Sequence, residues 1–153
     1  LAQHSLNVYY RLAEKTDLRS LEGQMKPDTA AITGLLHDLC KCNFYKVGYR
    51  NVKENGSWVK KQIWEVDDKF PYGHGEKSVE MINHFIDLSA SEKMMIRWHM
   101  GFSESKENYM NLQNALKKYP EIVLLHAADL EATYIDEREE NGISGNSCFF
   151  KEV

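Results

Sequence analysis

The stretch Leu35-Leu36-His37-Asp38-Leu39-Cys40-Lys41 sets a histidine and an aspartate side by side at the end of an apolar helical run, with a lysine three residues after the aspartate. Imidazole and carboxylate both ligate metals and both carry protons. Neighbouring helical residues point about 100° apart, so the pair can grip one ion only near a helix end. An ionised aspartate behind aliphatic residues is costly to bury without a cation or hydrogen bonds.

Other polar residues share this setting. His4, His99 and His126 fall on the apolar faces of predicted helices, Asp129 sits one turn after His126, and His74 lies in a turn. A lone histidine on such a face is ordinarily a satisfied core residue. Inward aspartates are harder to dismiss, because a buried carboxylate without a cation protonates or unfolds the site. Several such residues on separate helices favour a shared cation. A mixed His/Asp set suits Mn, Fe, Ni, Co or Zn. Cys40 and Cys42, one residue apart with no second pair, read as free thiols rather than ligands.

The elements that must position these residues are mostly helical. Residues 1 to about 15 predict a helix with Leu1, His4, Val8 and Leu12 on one stripe. Residues 15–26 are polar and read as a loop or short helix. Pro27 opens a second helix, with oxygen caps from the residues that follow, running to about Leu39. Tyr45, Val47 and Tyr49, then Asn55-Gly56, then Trp58, Lys60, Gln62 and Trp64 alternate as a β-hairpin inserted over about 44–66. A helix over about 76–87 turns Val79, Ile82 and Ile86 inward. Ser89 to Glu92 fits a capping box with Leu88 as staple, and its helix carries Met95, Ile96 and His99 to a stop near Gly101. A helix over about 107–119 offers Met110, Leu112 and Leu116 for packing. Pro120 opens the last helix, to about Glu140, with Ile122, Leu125, His126, Asp129 and Thr133 on a stripe. The tail from about 141 reads as loose.

The chain of 153 residues, 42% hydrophobic and 27% charged, reads as one globular domain over 1–153. Its net charge of −4 and pI near 5.9 argue against a broad nucleic-acid footprint, though not against a short single strand or a nucleotide. Three cysteines, an odd number, fit a reducing cytoplasmic interior. No apolar run reaches the roughly 20 residues of a membrane helix. The start at Leu1, inside a predicted helix, points to missing upstream sequence.

The order His4, His37-Asp38, His74, His99, Asp129, at intervals of 25 to 36 residues, resembles the HD-domain superfamily of metal-dependent phosphohydrolases, in its dinuclear branch. The resemblance covers nearly the whole chain except the hairpin and the tail. It implies an all-α HD-domain helical bundle carrying the small inserted hairpin. It also implies that His4, His37, Asp38 and Asp129 hold one metal, that His74 and His99 hold a second, and that Asp38 bridges them. Lys41 matches the lysine of the His-Asp-x-Gly-Lys variant, which reaches a substrate phosphate or the bridging solvent. Cys40 stands where that variant has glycine, a residue that tolerates positive φ as cysteine does not. The Gly-Tyr-Pro signature of the cyclic-dinucleotide branch is absent.

The chemistry so implied is hydrolysis of a phosphate ester, as phosphomonoesterase or phosphodiesterase. Asp38 and Lys41 are the catalytic residues, and solvent between two transition-metal ions is the nucleophile. The expected partner is a small, nucleotide-like phosphorylated substrate. The same ligand pattern also resembles the di-iron oxygenases of the superfamily, and a single-strand nuclease is a third reading. A non-catalytic binding domain is a fourth, opposed by the complete ligand set. Bland roles stand beside several sharp ones. His84 is expected at the surface; for His126, a hydrogen bond to a ligand or a touch on substrate stands behind the bland reading of an ordinary core histidine. Arg97 and Lys77 are either phosphate contacts or solvated charges. Tyr45, Tyr49, Trp58 and Trp64 are expected to pin the hairpin to the bundle in a satellite cluster rather than to form a base-stacking lid.

Overall fold

The computed structural model describes residues 1–18 and 25–138. The polar segment before Pro27 lies partly, and the tail wholly, outside the described residues. Six α-helices and one hairpin occur among those described: α1 (Ala2–Leu18), α2 (Pro27–Leu36), β1 (Tyr45–Glu54), β2 (Ser57–Val66), α3 (His74–Asn83), α4 (Ala90–Trp98), α5 (Tyr109–Lys118) and α6 (Ile122–Glu131). The all-α bundle with an inserted hairpin is thus what the chain forms.

Helix α1 packs on α2 and α6, α3 on α4, and α4 on α2, α5 and α6. Spacing by one helical turn explains α1, where His4, Val8 and Leu12 are buried together. Pro27 takes the first position of α2, where its missing N–H costs nothing. The oxygen caps expected there are not made. Lys26 is the N-cap and supplies no side-chain bond. The Thr29 hydroxyl instead donates to Glu92 Oε1, at 2.8 Å. Ser89 and Glu92 form the full capping box at the start of α4.

Among the described residues, two clusters make the core. The larger joins Val8 and Leu12 of α1, Ala30 of α2, Met95 and Trp98 of α4, Leu112 of α5 and Leu125 of α6. The smaller gathers Ile82, Leu88 and Ile96, with Ile32, Leu36, Leu39 and Val79 against them. Helices α2 and α4 belong to both. Two glycines permit the tightest helix contacts. A Cβ on Gly34 would lie 2.8 Å from Tyr9 Cα, and one on Gly75 would collide with the Arg97 carbonyl. Hence α1 closes on α2 near His37, and α3 on α4 beside His74.

Some expected inward residues point out. Helix α3 ends at Asn83, so Ile86 loses the helical period and is exposed. Met110, in the first turn of α5, is 68% exposed and leaves the packing to Leu112 and Leu116. After Glu131 the last helix widens into a π turn (Ala132–Asp136), which rotates Thr133 off its stripe to the surface.

The hairpin pairs Tyr45 with Val66 and Glu54 with Ser57 around Asn55-Gly56, both at positive φ, as a two-residue turn requires. The expected satellite cluster is not there. Tyr45, Tyr49, Trp58 and Trp64 are all exposed, because the hairpin extends away from the helices and packs chiefly on itself.

Candidate metal centre

Helix α2 stops at Leu36, where His37 is the αR C-cap and Asp38 leaves helical geometry at φ −103° and ψ 20°. A 3₁₀ turn (Leu39–Lys41) follows. The break brings His37 Nε2 and Asp38 Oδ2 within 3.6 Å of each other. Cys40 lies inside this turn, and Asn43 and Asn55 are the non-glycine residues at positive φ among those described. No left-handed conformation is needed at Cys40, so the cysteine is accommodated without strain.

The other singled-out residues converge on this break. His4 comes from α1 and Asp129 from α6, with His4 Nε2 3.1 Å from Asp129 Oδ1 and 3.8 Å from Asp38 Oδ2. His37 Nε2 lies 4.0 Å from Asp129 Oδ1. On the other side, His74 at the start of α3 places Nε2 2.7 Å from Asp38 Oδ1. His99, at the end of α4, places Nε2 3.6 Å from the same oxygen. The ring pairs His4–His37, His37–His99 and His74–His99 have centroids 5.4, 5.0 and 5.1 Å apart. All six residues therefore meet in one site. Asp38 Oδ2 faces His4 and His37, and Oδ1 faces His74 and His99.

Hydrogen bonds turn each ring so that Nε2 points inward. His37 Nδ1 donates to the Gly34 carbonyl at 2.9 Å, and His99 Nδ1 to the Ile96 carbonyl at 2.7 Å. His4 Nδ1 pairs with Glu137 Oε1 at 2.9 Å, an oxygen that also accepts from Asn7 at 3.1 Å. His74 Nδ1 meets Cys40 Sγ at 3.1 Å. Histidine ligands are commonly oriented in this way through the second ring nitrogen. His126 serves one residue indirectly, because its Nδ1 donates to the backbone carbonyl of His99 at 2.7 Å.

The inner atoms are then left over. His37 Nε2, Asp38 Oδ1, His74 Nε2 and His99 Nε2 are buried without a hydrogen-bond partner. The short His74–Asp38 approach lies outside hydrogen-bonding geometry. Buried polar atoms rarely go unsatisfied, and convergent imidazole and carboxylate lone pairs are what a divalent transition metal takes. Among the described residues, three groups have ligand atoms within 4.8 Å of one another: His4, His37 and Asp129; His37, Asp38 and His99; and Asp38, Cys40 and His74.

Electrostatics favour the carboxylates and His37 as ligands, while His4 and His74 must give up a proton to a metal. Burial alone would raise the Asp38 carboxyl, but His74, His99, His37 and Lys41 hold it far below the usual carboxylate range. Burial would likewise raise Asp129, and His4 with the neighbouring imidazoles brings it down. Burial and repulsion from His99 push His37 down to about 4, which leaves it neutral and able to ligate. His74 goes the other way, to about 9, because Asp38 and Cys40 outweigh its burial. His4 is also raised, by Asp129 and Glu137 against its burial.

The basic residues divide. Lys41 Nζ sits 2.5 Å from Asp38 Oδ2 at the site itself. Arg97 is engaged by Glu76 at 2.5 Å and Glu104 at 2.8 Å, over the Trp98 ring. Lys77 is held by Asp68. Both therefore brace the scaffold. His84 is exposed, as expected. Sequence reasoning passed over Glu137, one acid among several near the end of the last helix. It also gave Cys40 no partner, since nothing local points from residue 40 to residue 74.

Among the described residues no helix is long and apolar enough to cross a membrane. Comparison with curated proteins returns no match, and comparison with solved structures returns none either. The family model of the HD domain matches residues 1–134, and with the His/Asp groups in place the chain belongs to the HD-domain superfamily of metal-dependent hydrolases.

Proposed function

We propose that the chain is a dinuclear phosphohydrolase acting on a small, nucleotide-like phosphate ester. The observation that carries this reading is the division of Asp38, with one carboxylate oxygen toward His4 and His37 and the other toward His74 and His99. In this reading His4, His37, Asp129 and Asp38 would hold one ion, and His74 and His99, with Asp38 again, would hold the other.

Divalent ions bound there supply a nucleophile from water near neutral pH and offset charge on the phosphoryl oxygens. The chain supplies the rest. Lys41, partly exposed at 26%, gives a point cation that can turn from Asp38 to a phosphate oxygen as the ester enters. The Gly34 and Ile96 carbonyls keep the His37 and His99 protons on Nδ1, while Glu137 and Cys40 orient the His4 and His74 rings, whose second proton a bound metal would displace. Burial of His37, His99 and Asp38 excludes bulk water from all but the substrate side.

The test is metal content followed by turnover of a panel of phosphate esters with that metal. Asp38→Ala is expected to lose both metal and turnover while its circular dichroism matches the parent. Unchanged turnover in that variant overturns the reading.

A further inference from the structure

The hairpin sorts its residues by face. Cross-strand partners share a face, so the register puts Tyr45, Val47, Tyr49, Asn51 and Lys53 of β1 beside Val66, Trp64, Gln62, Lys60 and Trp58 of β2. Every one of these residues is exposed. Trp58 is 73% exposed, Trp64 65% and Tyr49 59%. With Tyr45, the four rings offer on the order of 500 Å² of open aromatic surface, at roughly 150–250 Å² per side chain. That is as large as the biggest apolar patch of a typical monomer, and such patches are often functional.

Charge is sorted in the same way. Lys53 and Lys60 are the charged residues of the aromatic face, and Lys60 Nζ stands 4.7 Å from the Tyr49 ring centroid. Both hairpin carboxylates are on the opposite face. Glu54 is paired with Lys61 there, and Glu65 folds over Gly48. Residues 45–66 hold five basic and two acidic side chains. The whole chain has 19 and 23, which leaves 14 basic and 21 acidic outside the hairpin. The acidic pI thus averages a basic arm with a more acidic body, and the argument from pI against nucleic acid does not reach the arm.

We propose that the hairpin face bearing Tyr45, Tyr49, Trp58 and Trp64, interleaved with Lys53 and Lys60, is a stacking platform for single-stranded nucleic acid. Aromatic rings take bases of any sequence, and flanking cations take the phosphates. A second copy of the chain is the poorer occupant, since face-to-face pairing would set Lys53 and Lys60 of both copies in one apolar contact. The platform also bears on the metal centre. Tyr45 follows Lys41 by four residues, and Val66 precedes His74 by eight, so a strand on the arm lies on the chain segment that leaves and re-enters the site. That such a strand is also hydrolysed rests on the phosphohydrolase reading.

The experiment keeps the two ideas apart by measuring binding without turnover. Anisotropy of labelled oligouridylate and oligothymidylate of about 12 nucleotides, within the usual site sizes, is followed on the full chain in chelator at several salt concentrations. Binding is expected that weakens with salt, with a slope of about −0.7 per phosphate neutralised. Trp58→Ala and Trp64→Ala should each weaken it by about 5- to 150-fold. Lys53→Gln with Lys60→Gln should flatten the salt slope. Parent binding no tighter than that of the tryptophan variants overturns the proposal. So does a parent dimer that Trp58→Ala and Trp64→Ala dissociate, because a second copy then covers the face.

Discussion

Cys40 Sγ lies 3.1 Å from His74 Nδ1, so a thiol occupies the position from which a carboxylate or carbonyl ordinarily orients a ligating imidazole. The same residue is anchored by its backbone N–H, which donates to Ser78 Oγ at 3.1 Å. Cys40→Ala should keep that anchor and lose the contact to His74. If the centre holds two ions as proposed, affinity for the one beside His74 should fall about 10- to 100-fold, and Cys40→Ser, which restores a polar partner, should recover most of it. Titration against a chelating dye separates the two ions. Equal affinity in Cys40→Ala and the parent would remove the thiol from the site's workings.

Lys41 tests substrate contact against metal assembly. Its ammonium competes with a metal for Asp38 Oδ2, so Lys41→Gln should bind metal at least as tightly as the parent. If the lysine meets the phosphate, kcat/KM should still drop about 10- to 100-fold, the worth of a hydrogen bond to a charged group. Metal titration and steady-state kinetics on one preparation give both readings. A drop in kcat/KM that merely tracks lost metal would argue against phosphate contact.

The geometry of the site was legible where it depended on local pattern. His37-Asp38 at the end of an apolar run, Asn55-Gly56 between alternating strands, and Ser89 with Glu92 are each short-range signals: α2 ends at the first pair, the hairpin turns at the second and the capping box forms at the third. What escaped depends on where regular elements stop. Ile86 points out because α3 ends one turn early, and Thr133 because the last helix changes pitch. Glu137 and Cys40 find His4 and His74 across 133 and 34 residues. No periodicity encodes such pairings.

Gly75 holds α3 against α4, and a methyl group there meets the Arg97 backbone carbonyl. Backbone cannot yield as a side-chain tip does, so Gly75→Ala should destabilise the fold by about 1–3 kcal/mol. At about 2–4 °C per kcal/mol for a chain of this size, the melting temperature should fall visibly in a thermal scan. Because His74 is the preceding residue, metal binding at that side of the centre should weaken as well. An unchanged melting temperature would mean that the two helices separate without cost.

Glu92 carries a pH signature remote from the metal centre. Burial would raise its carboxyl, but hydrogen bonds from Ser89 and Thr29, with the nearby Lys26 charge, bring it below 4.5. The unfolded chain therefore takes up this proton first as pH falls. The ionised Glu92 contributes its full stability above about pH 4.5, and that contribution fades as pH drops through the lower folded value. Glu92→Gln should lower stability at pH 7, with the gap to the parent closing as pH falls below about 4.5 and through the lower folded value. Paired melting curves at the two pH values measure it. A constant gap would assign the loss to packing instead.

The pairing of Tyr45 with Val66, continued by the Asp67 N–H to the Phe44 carbonyl at 2.8 Å, means that the inserted segment leaves and rejoins the bundle at a single point. Seen from the helices, its length is invisible, since loop-closure entropy is settled at the base pair and grows only slowly with what lies beyond it. The arm is therefore an interchangeable cassette. It can be shortened to a tight turn, or exchanged for another hairpin, without re-registering any helix that carries a histidine or aspartate of the centre. Whatever the arm recognises can change independently of the chemistry it stands beside.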